Sequence, residues 1–150
     1  MDTVIKKVSI SNLDDLIGLF DQYMVFYKKP SSPKKYKEYL TERIVNKEAM
    51  IFIAYTETDI PVGFVLNYFS FSSVSQGSVV VLNDLFVSPD QRNKGIGNAL
   101  ISSSVSLAKE TGAVRVGLAT AKDNLSAQVL YEKMGFVKDA DYFYYNFSTK

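Results

Sequence analysis

The segment Arg92-Asn93-Lys94-Gly95-Ile96-Gly97 has the composition of an anion-binding turn. Glycines at 95 and 97 let the backbone come close to a ligand and take conformations that other residues resist. The helical pattern that follows would offer unpaired N–H groups and the positive end of a helix dipole. From Gly95 through Ser106 there is no Asp or Glu, so the place often taken by an acid in a first turn is empty. Arg92 and Lys94 add mobile positive charge beside it. The bland alternative is a tight strand-to-helix turn, and Gly-x-Gly alone does not separate the two.

Composition narrows the remaining chemistry. The chain has 150 residues and neither cysteine nor histidine, which excludes disulfides, thiolate nucleophiles and imidazole bases. Acid–base work falls to Tyr, Asp, Glu, Lys or water. Hydrophobic residues at 47% and charged residues at 22% describe a globular chain of one domain, 1–150, with one core. Lys+Arg number 17 against 16 for Asp+Glu, so the net charge of +1 gives no footprint for nucleic acid. The N-terminal stretch Met1–Lys7 lacks the apolar run of a signal peptide, and no apolar run approaches the ~20 residues of a membrane span. The expectation is a cytoplasmic protein without membrane partners.

The elements that must position these residues follow from periodicity. A strand near Val4–Ile10 precedes Ser11-Asn12-Leu13-Asp14, a helix start with an acidic first turn. Leu13, Leu16, Ile17, Phe20, Met24 and Tyr27 recur at helical spacing. Ser32-Pro33 opens a second helix running to about Val45. Met50–Tyr55, Val62–Phe71 and Ser78–Val87 read as strands. A helix from about Gly95 to Glu110 closes at Gly112, Val114–Thr120 reads as a buried strand, Asn124–Met134 as a helix ended by Gly135, and Tyr142–Phe147 as a last strand. The sum is an α/β-type three-layer domain around a mixed, mostly antiparallel sheet. A dinucleotide-binding fold does not fit. Several residues separate Val87 from the glycines, Leu100 stands in the third glycine's place, and Val114–Thr120 carries no acid.

Two motifs in order resemble the GNAT superfamily of N-acetyltransferases. Arg92-Asn93-Lys94-Gly95-Ile96-Gly97 is similar to its Arg/Gln-x-x-Gly-x-Gly/Ala coenzyme A motif. The run from Asn124 to Phe136 resembles its Asn-x-x-Ala-x-x-x-Tyr-x-x-x-Gly-Phe segment at every specified position. The resemblance covers about Met50 to Phe147, and the two-helix opening is also typical. Asn83-Asp84-Leu85-Phe86-Val87 and Phe71–Ser75 look nearest to diamine-type and histone-acetyltransferase-like members.

The resemblance implies acetyl-CoA as cofactor and an amine of a small molecule or a lysine-like side chain as acceptor. It implies that backbone groups of Leu85, Phe86 and Val87 bind the pantetheine arm and thioester carbonyl, in a gap where that strand splays from its neighbour. Arg92, Asn93, Lys94, Gly95, Ile96, Gly97 and Asn98 would hold the pyrophosphate, with Gly117–Ala119 lining the other side. Asn124, Ala127, Gln128 and Tyr131 share one helical face, so Asn124 and Ala127 are expected at the cofactor that the Tyr131 phenol reaches. Tyr131 matches the family's general acid, and a phenol with pKa of about 10 suits a thiolate whose acid lies at about 8.5.

The acceptor ammonium, with pKa of about 10.4, must lose a proton. Asp84 is either the base, directly or through water, or a structural acid bonding backbone groups. Strand alternation puts Asn83 and Asp84 on opposite faces, so at most one points at the acceptor. Polyamine acetyltransferases carry glutamate where Asn83 stands, which weakens a polyamine assignment. Tyr23, Phe26 and Tyr27 with Phe69–Ser75 are either acceptor wall or core, and Tyr27 and Phe71 are the expected ligand-facing members. A non-catalytic acetyl-CoA sensor is the alternative to an enzyme; an intact Tyr131 favours the enzyme. The aromatic run Tyr142–Phe147 predicts a covering partner, hence a homodimer.

Overall fold

Three long apolar runs in the middle of the chain build the central strands of the sheet. The computed structural model describes residues 3–150, so Met1 and Asp2 lie outside the described residues. These form two compact units that divide at Ala119/Thr120.

In the first unit, strands β1 (Val4–Lys7), β2 (Ala49–Tyr55), β3 (Pro61–Ser72), β4 (Gly77–Val87) and β5 (Arg115–Gly117) lie side by side in chain order. β1 through β4 pair antiparallel, and β4–β5 pair in parallel. The parallel pairing requires a crossover, and helix α3 (Ile96–Thr111) supplies it.

Helix α1 (Leu13–Phe26) carries Asp14 and Asp15 in its first turn, where the helix dipole favours them. Helix α2 (Pro33–Val45) starts on the expected proline, whose missing N–H is no loss at that position. Ser32 offers no side-chain cap; its backbone N–H instead donates to Asp21 of α1 at 2.9 Å. Leu16, Leu19, Phe20 and Leu40 from α1 and α2 bury against Ile51, Ile53, Phe64, Leu66 and Phe86 of the sheet. On the opposite face, Leu107 and Ala108 of α3 meet Val80, with Met50, Phe52 and Phe69 around them. Leu16 and Leu40 have no exposed surface, and truncating such a leucine to alanine costs about 2–5 kcal/mol.

Two expected strands differ from the reading of the sequence. Val114–Thr120 shrinks to β5, whose residues are exposed or partly buried rather than buried. It pairs with Val79–Val81 only, and β4 offers it no partner beyond that point. Tyr142–Phe147 forms no strand, and its aromatic side chains are 75–91% exposed. High β-propensity describes side chains that fit a pleated surface, and it yields a strand only where a ladder partner exists. The second unit has helix α4 (Leu125–Lys133) as its regular element, followed by Gly135 at φ 103°.

Candidate active site

The pairing of β3 with β4 slips at one place. Leu66 stands opposite Asp84 and Asn67 opposite Leu82, which leaves Asn83 as the extra residue of a β-bulge. The slip inverts the alternation of β4. Val80 faces α3, whereas Phe86 faces α1 and α2. Asn83 and Asp84 therefore share the α1 side, and the Asn83 amide donates to Asp84 Oδ2 at 2.9 Å. This corrects the expectation that consecutive residues point to opposite faces.

The other oxygen of Asp84 is also held. The Tyr23 hydroxyl of α1 donates to Asp84 Oδ1 at 2.7 Å. Tyr23 is fixed by rings on several sides: Tyr27 at 5.0 Å, Phe64 at 5.5 Å and Phe86 at 5.8 Å between centroids. Nearby, the Tyr39 and Tyr68 hydroxyls lie 2.7 Å apart. The Tyr68 phenol is pushed up, first by burial, then by its bond to Tyr39 and the charges of Tyr39 and Asp84, with Arg43 opposing. The bulge is anchored from the α3 side. The amide of Asn67, fully buried, donates to Met50 O at 3.1 Å and its Oδ1 accepts from Ser104 Oγ at 2.7 Å.

The glycine loop reaches α3 by two left-handed residues, Asn93 at φ 61° and Gly95 at φ 82°. Gly95 occupies the N-cap position, no side chain caps the helix, and the first turn carries no acid. A Cβ at Gly95 would meet nothing within 4 Å, so backbone conformation rather than crowding selects glycine there. Such an uncapped start fits a diphosphate well. Lys94 reaches Gln91 at 3.4 Å. The Arg92 side chain is pinned rather than mobile. Its Nε donates to Val87 O at 2.9 Å, and its guanidinium lies 5.0 Å from the Phe26 ring centroid and 6.0 Å from that of Phe86.

Between the bulge and the loop, β4 has an open edge. Its last partner on β5 is Val81, so Leu82–Val87, including Leu85, Phe86 and Val87, have no strand neighbour on that side. On the other side β3 comes close at Gly63, where a Cβ would stand 2.7 Å from Phe86 O. Of the expected acceptor wall, Tyr27 is 55% exposed beside Tyr23. Phe71 is 83% exposed, but it sits opposite Ser78 near the β3–β4 turn, five positions along β3 from Leu66. Its parity is that of Phe69, which packs on the α3 side, so the fold does not bring Phe71 and Tyr27 together.

In the second unit Asn124 caps α4, its Oδ1 accepting from Ala127 N at 3.3 Å. Gln128 Nε2 donates to Ala121 O and Lys122 O at 3.2 and 3.0 Å, tying the entering loop to the helix. Tyr131 is partly buried, with its ring 5.8 Å from Phe136. Among the described residues no cluster of acidic side chains could hold a metal ion, and no helix is long and apolar enough to cross a membrane.

A mixed sheet whose one parallel pair parts beside an uncapped helix start leaves an open strand edge next to an anion site. The chain belongs to the Acetyltransferase (GNAT) family, whose family model matches residues 16–136. It is an N-acetyltransferase, and its cofactor is acetyl-CoA. It is 36% identical to the uncharacterized N-acetyltransferase YhfO of Bacillus subtilis over 94% of both chains. It is 29% identical to the thialysine N-epsilon-acetyltransferase of Caenorhabditis elegans, over 89% of this chain and 82% of that one. A crystal structure of a "probable acetyltransferase" superposes with a TM-score of 0.92 at 33% identity, covering 98% of both chains. The aminoglycoside acetyltransferase AAC(6')-Iy, in complex with a bisubstrate analog containing CoA, shares the fold at a TM-score of 0.81 and 20% identity, over 99% of each chain.

Proposed function

We propose that residues 1–150 act as one N-acetyltransferase domain that moves an acetyl group to a primary amine of a small molecule or a lysine-like side chain by direct attack. The observation that carries this reading is the acid-free, uncapped start of α3 following a β4 edge on which Asp84 stands half-buried. Acetyl-CoA, when bound, supplies the acetyl group as an activated thioester. Arg92, Asn93, Lys94, Gly95, Ile96, Gly97 and Asn98 hold its diphosphate, backbone groups of Leu85, Phe86 and Val87 hold the pantetheine arm, and Asn124 and Ala127 order the start of α4.

Asp84 accepts the proton of the acceptor ammonium, directly or through water, and the Tyr131 hydroxyl gives its proton to the departing sulfur. Tyr27 walls the acceptor side, whereas Phe71, on the α3 side of the sheet, takes no part in it. The thialysine-acetylating relative, a primary-amine enzyme by its printed name, supports the same acceptor class.

Direct attack needs amine and acetyl-CoA on the protein together, so initial velocities measured against both should give intersecting reciprocal plots. Parallel plots, the mark of an acyl-enzyme, would contradict it. The protein works in the cytoplasm as a homodimer, a second copy covering the exposed aromatics of Tyr142–Phe147. Sedimentation at micromolar concentration should give a dimer, and a monomer refutes that.

A further inference from the structure

We infer that Tyr23 and Asn83 are positioning residues that hold the Asp84 carboxylate in one orientation for proton uptake from the acceptor. The inference rests on the reading of Asp84 as the base. Each oxygen of Asp84 has a different donor: Tyr23 Oη on Oδ1 at 2.7 Å and Asn83 Nδ2 on Oδ2 at 2.9 Å. The two donors come from separate elements, α1 and the β4 bulge, so they fix both the rotation and the plane of the carboxylate. One donor on each oxygen leaves further lone pairs of the carboxylate to accept a proton.

The setting is built rather than incidental. Tyr23 cannot swing away without leaving the rings of Tyr27, Phe64 and Phe86. The bulge that sets Asn83 beside Asp84 is anchored from the buried side by Asn67 and Ser104. Tyr68 of β3 also feels the Asp84 charge, and its hydroxyl is bonded to that of Tyr39 of α2.

Each donor holds one oxygen, so removing either leaves the carboxylate freer to turn. Tyr23→Phe keeps the ring and deletes one bond; Asn83→Ala deletes the other. The test is the pH profile of kcat for wild type, Tyr23→Phe, Asn83→Ala and Asp84→Asn, with acetyl-CoA affinity and thermal unfolding measured alongside. The expected result is a plateau kcat lowered about fivefold in each donor variant. The loss falls on kcat along the acidic limb and the plateau alike, with acetyl-CoA affinity unchanged. In Asp84→Asn the limb is lost altogether. If that limb is lost in Asp84→Asn while Tyr23→Phe and Asn83→Ala superpose on wild type, the positioning role is wrong and the base assignment stands. If Asp84→Asn keeps the wild-type limb, the base assignment itself falls and the positioning role with it.

Discussion

Asn83 and Asp84 are neighbours in a strand, yet both side chains lie on the α1 side of the sheet, the Asn83 amide 2.9 Å from Asp84 Oδ2. A single skipped residue in the β3–β4 register produces this. It also sets the polarity of everything downstream on β4, because Phe86 then joins the α1-side core while the open edge runs on to the glycine loop. One irregularity thus relates Asp84 to the open edge of β4.

Tyr131→Phe should lower kcat by about a hundredfold or more, the usual share of one acid–base group, and leave acetyl-CoA affinity within about twofold. Fluorescence titration with acetyl-CoA and steady-state turnover separate the two effects. Full turnover in the variant removes the phenol as general acid.

Asn98→Asp places a carboxylate in the acid-free first turn of α3. With no cofactor present the helix should gain about 0.3–1 kcal/mol from the favourable dipole contact, raising the melting temperature slightly. The KM for acetyl-CoA should rise about tenfold, because the carboxylate repels the diphosphate. A stabilised variant with unchanged KM would show that the anion binds elsewhere.

Gly63→Ala introduces a Cβ 2.7 Å from Phe86 O and 3.3 Å from Leu100. Overpacking of this kind costs about 1–3 kcal/mol, read as a lower denaturant midpoint. Because β4 must shift to relieve it, acetyl-CoA binding should weaken as well. Gly95 lacks any such neighbour, so Gly95→Ala should be felt through the left-handed backbone alone, at about 1 kcal/mol.

Alkaline stability should depend on Tyr55. Its phenol is pushed up to about 12, first by burial and then by its bond to Asp15. The folded protein therefore keeps this proton where the unfolded chain, with an ordinary value of about 10, has lost it. The contribution is complete below pH ~10 and drains away as pH rises through about 12, since the unfolded state then binds fewer protons. Denaturant unfolding between these values should show stability falling with pH, and Tyr55→Phe should flatten that fall. An identical slope in the variant would discount Tyr55.

Much of this site is readable from the chain because it depends on local rules. Pro33 opens α2 and Gly112 closes α3 in the left-handed conformation, as local propensity requires. The glycine loop announces itself through Gly95 and the missing acids. What is not readable depends on register and distance in the chain. Tyr23 and Asp84 stand 61 residues apart, and no local pattern joins them. The bulge left one faint trace, two adjacent polar residues in an otherwise apolar run, which strict alternation cannot explain. Arg92 was readable as a cation but not as one stacked on Phe26, because that contact needs α1 in place. The aromatic run Tyr142–Phe147 shows the reverse: strong propensity without a ladder partner.

The most direct test of the central claim is release of free CoA from acetyl-CoA by the purified protein, followed against polyamines, aminoalkyl compounds, amino acids and lysine peptides. The account predicts release that depends on one class of primary amine and is lost with Asp84→Asn and Tyr131→Phe. Tight acetyl-CoA binding with no amine-dependent release across the panel would contradict it.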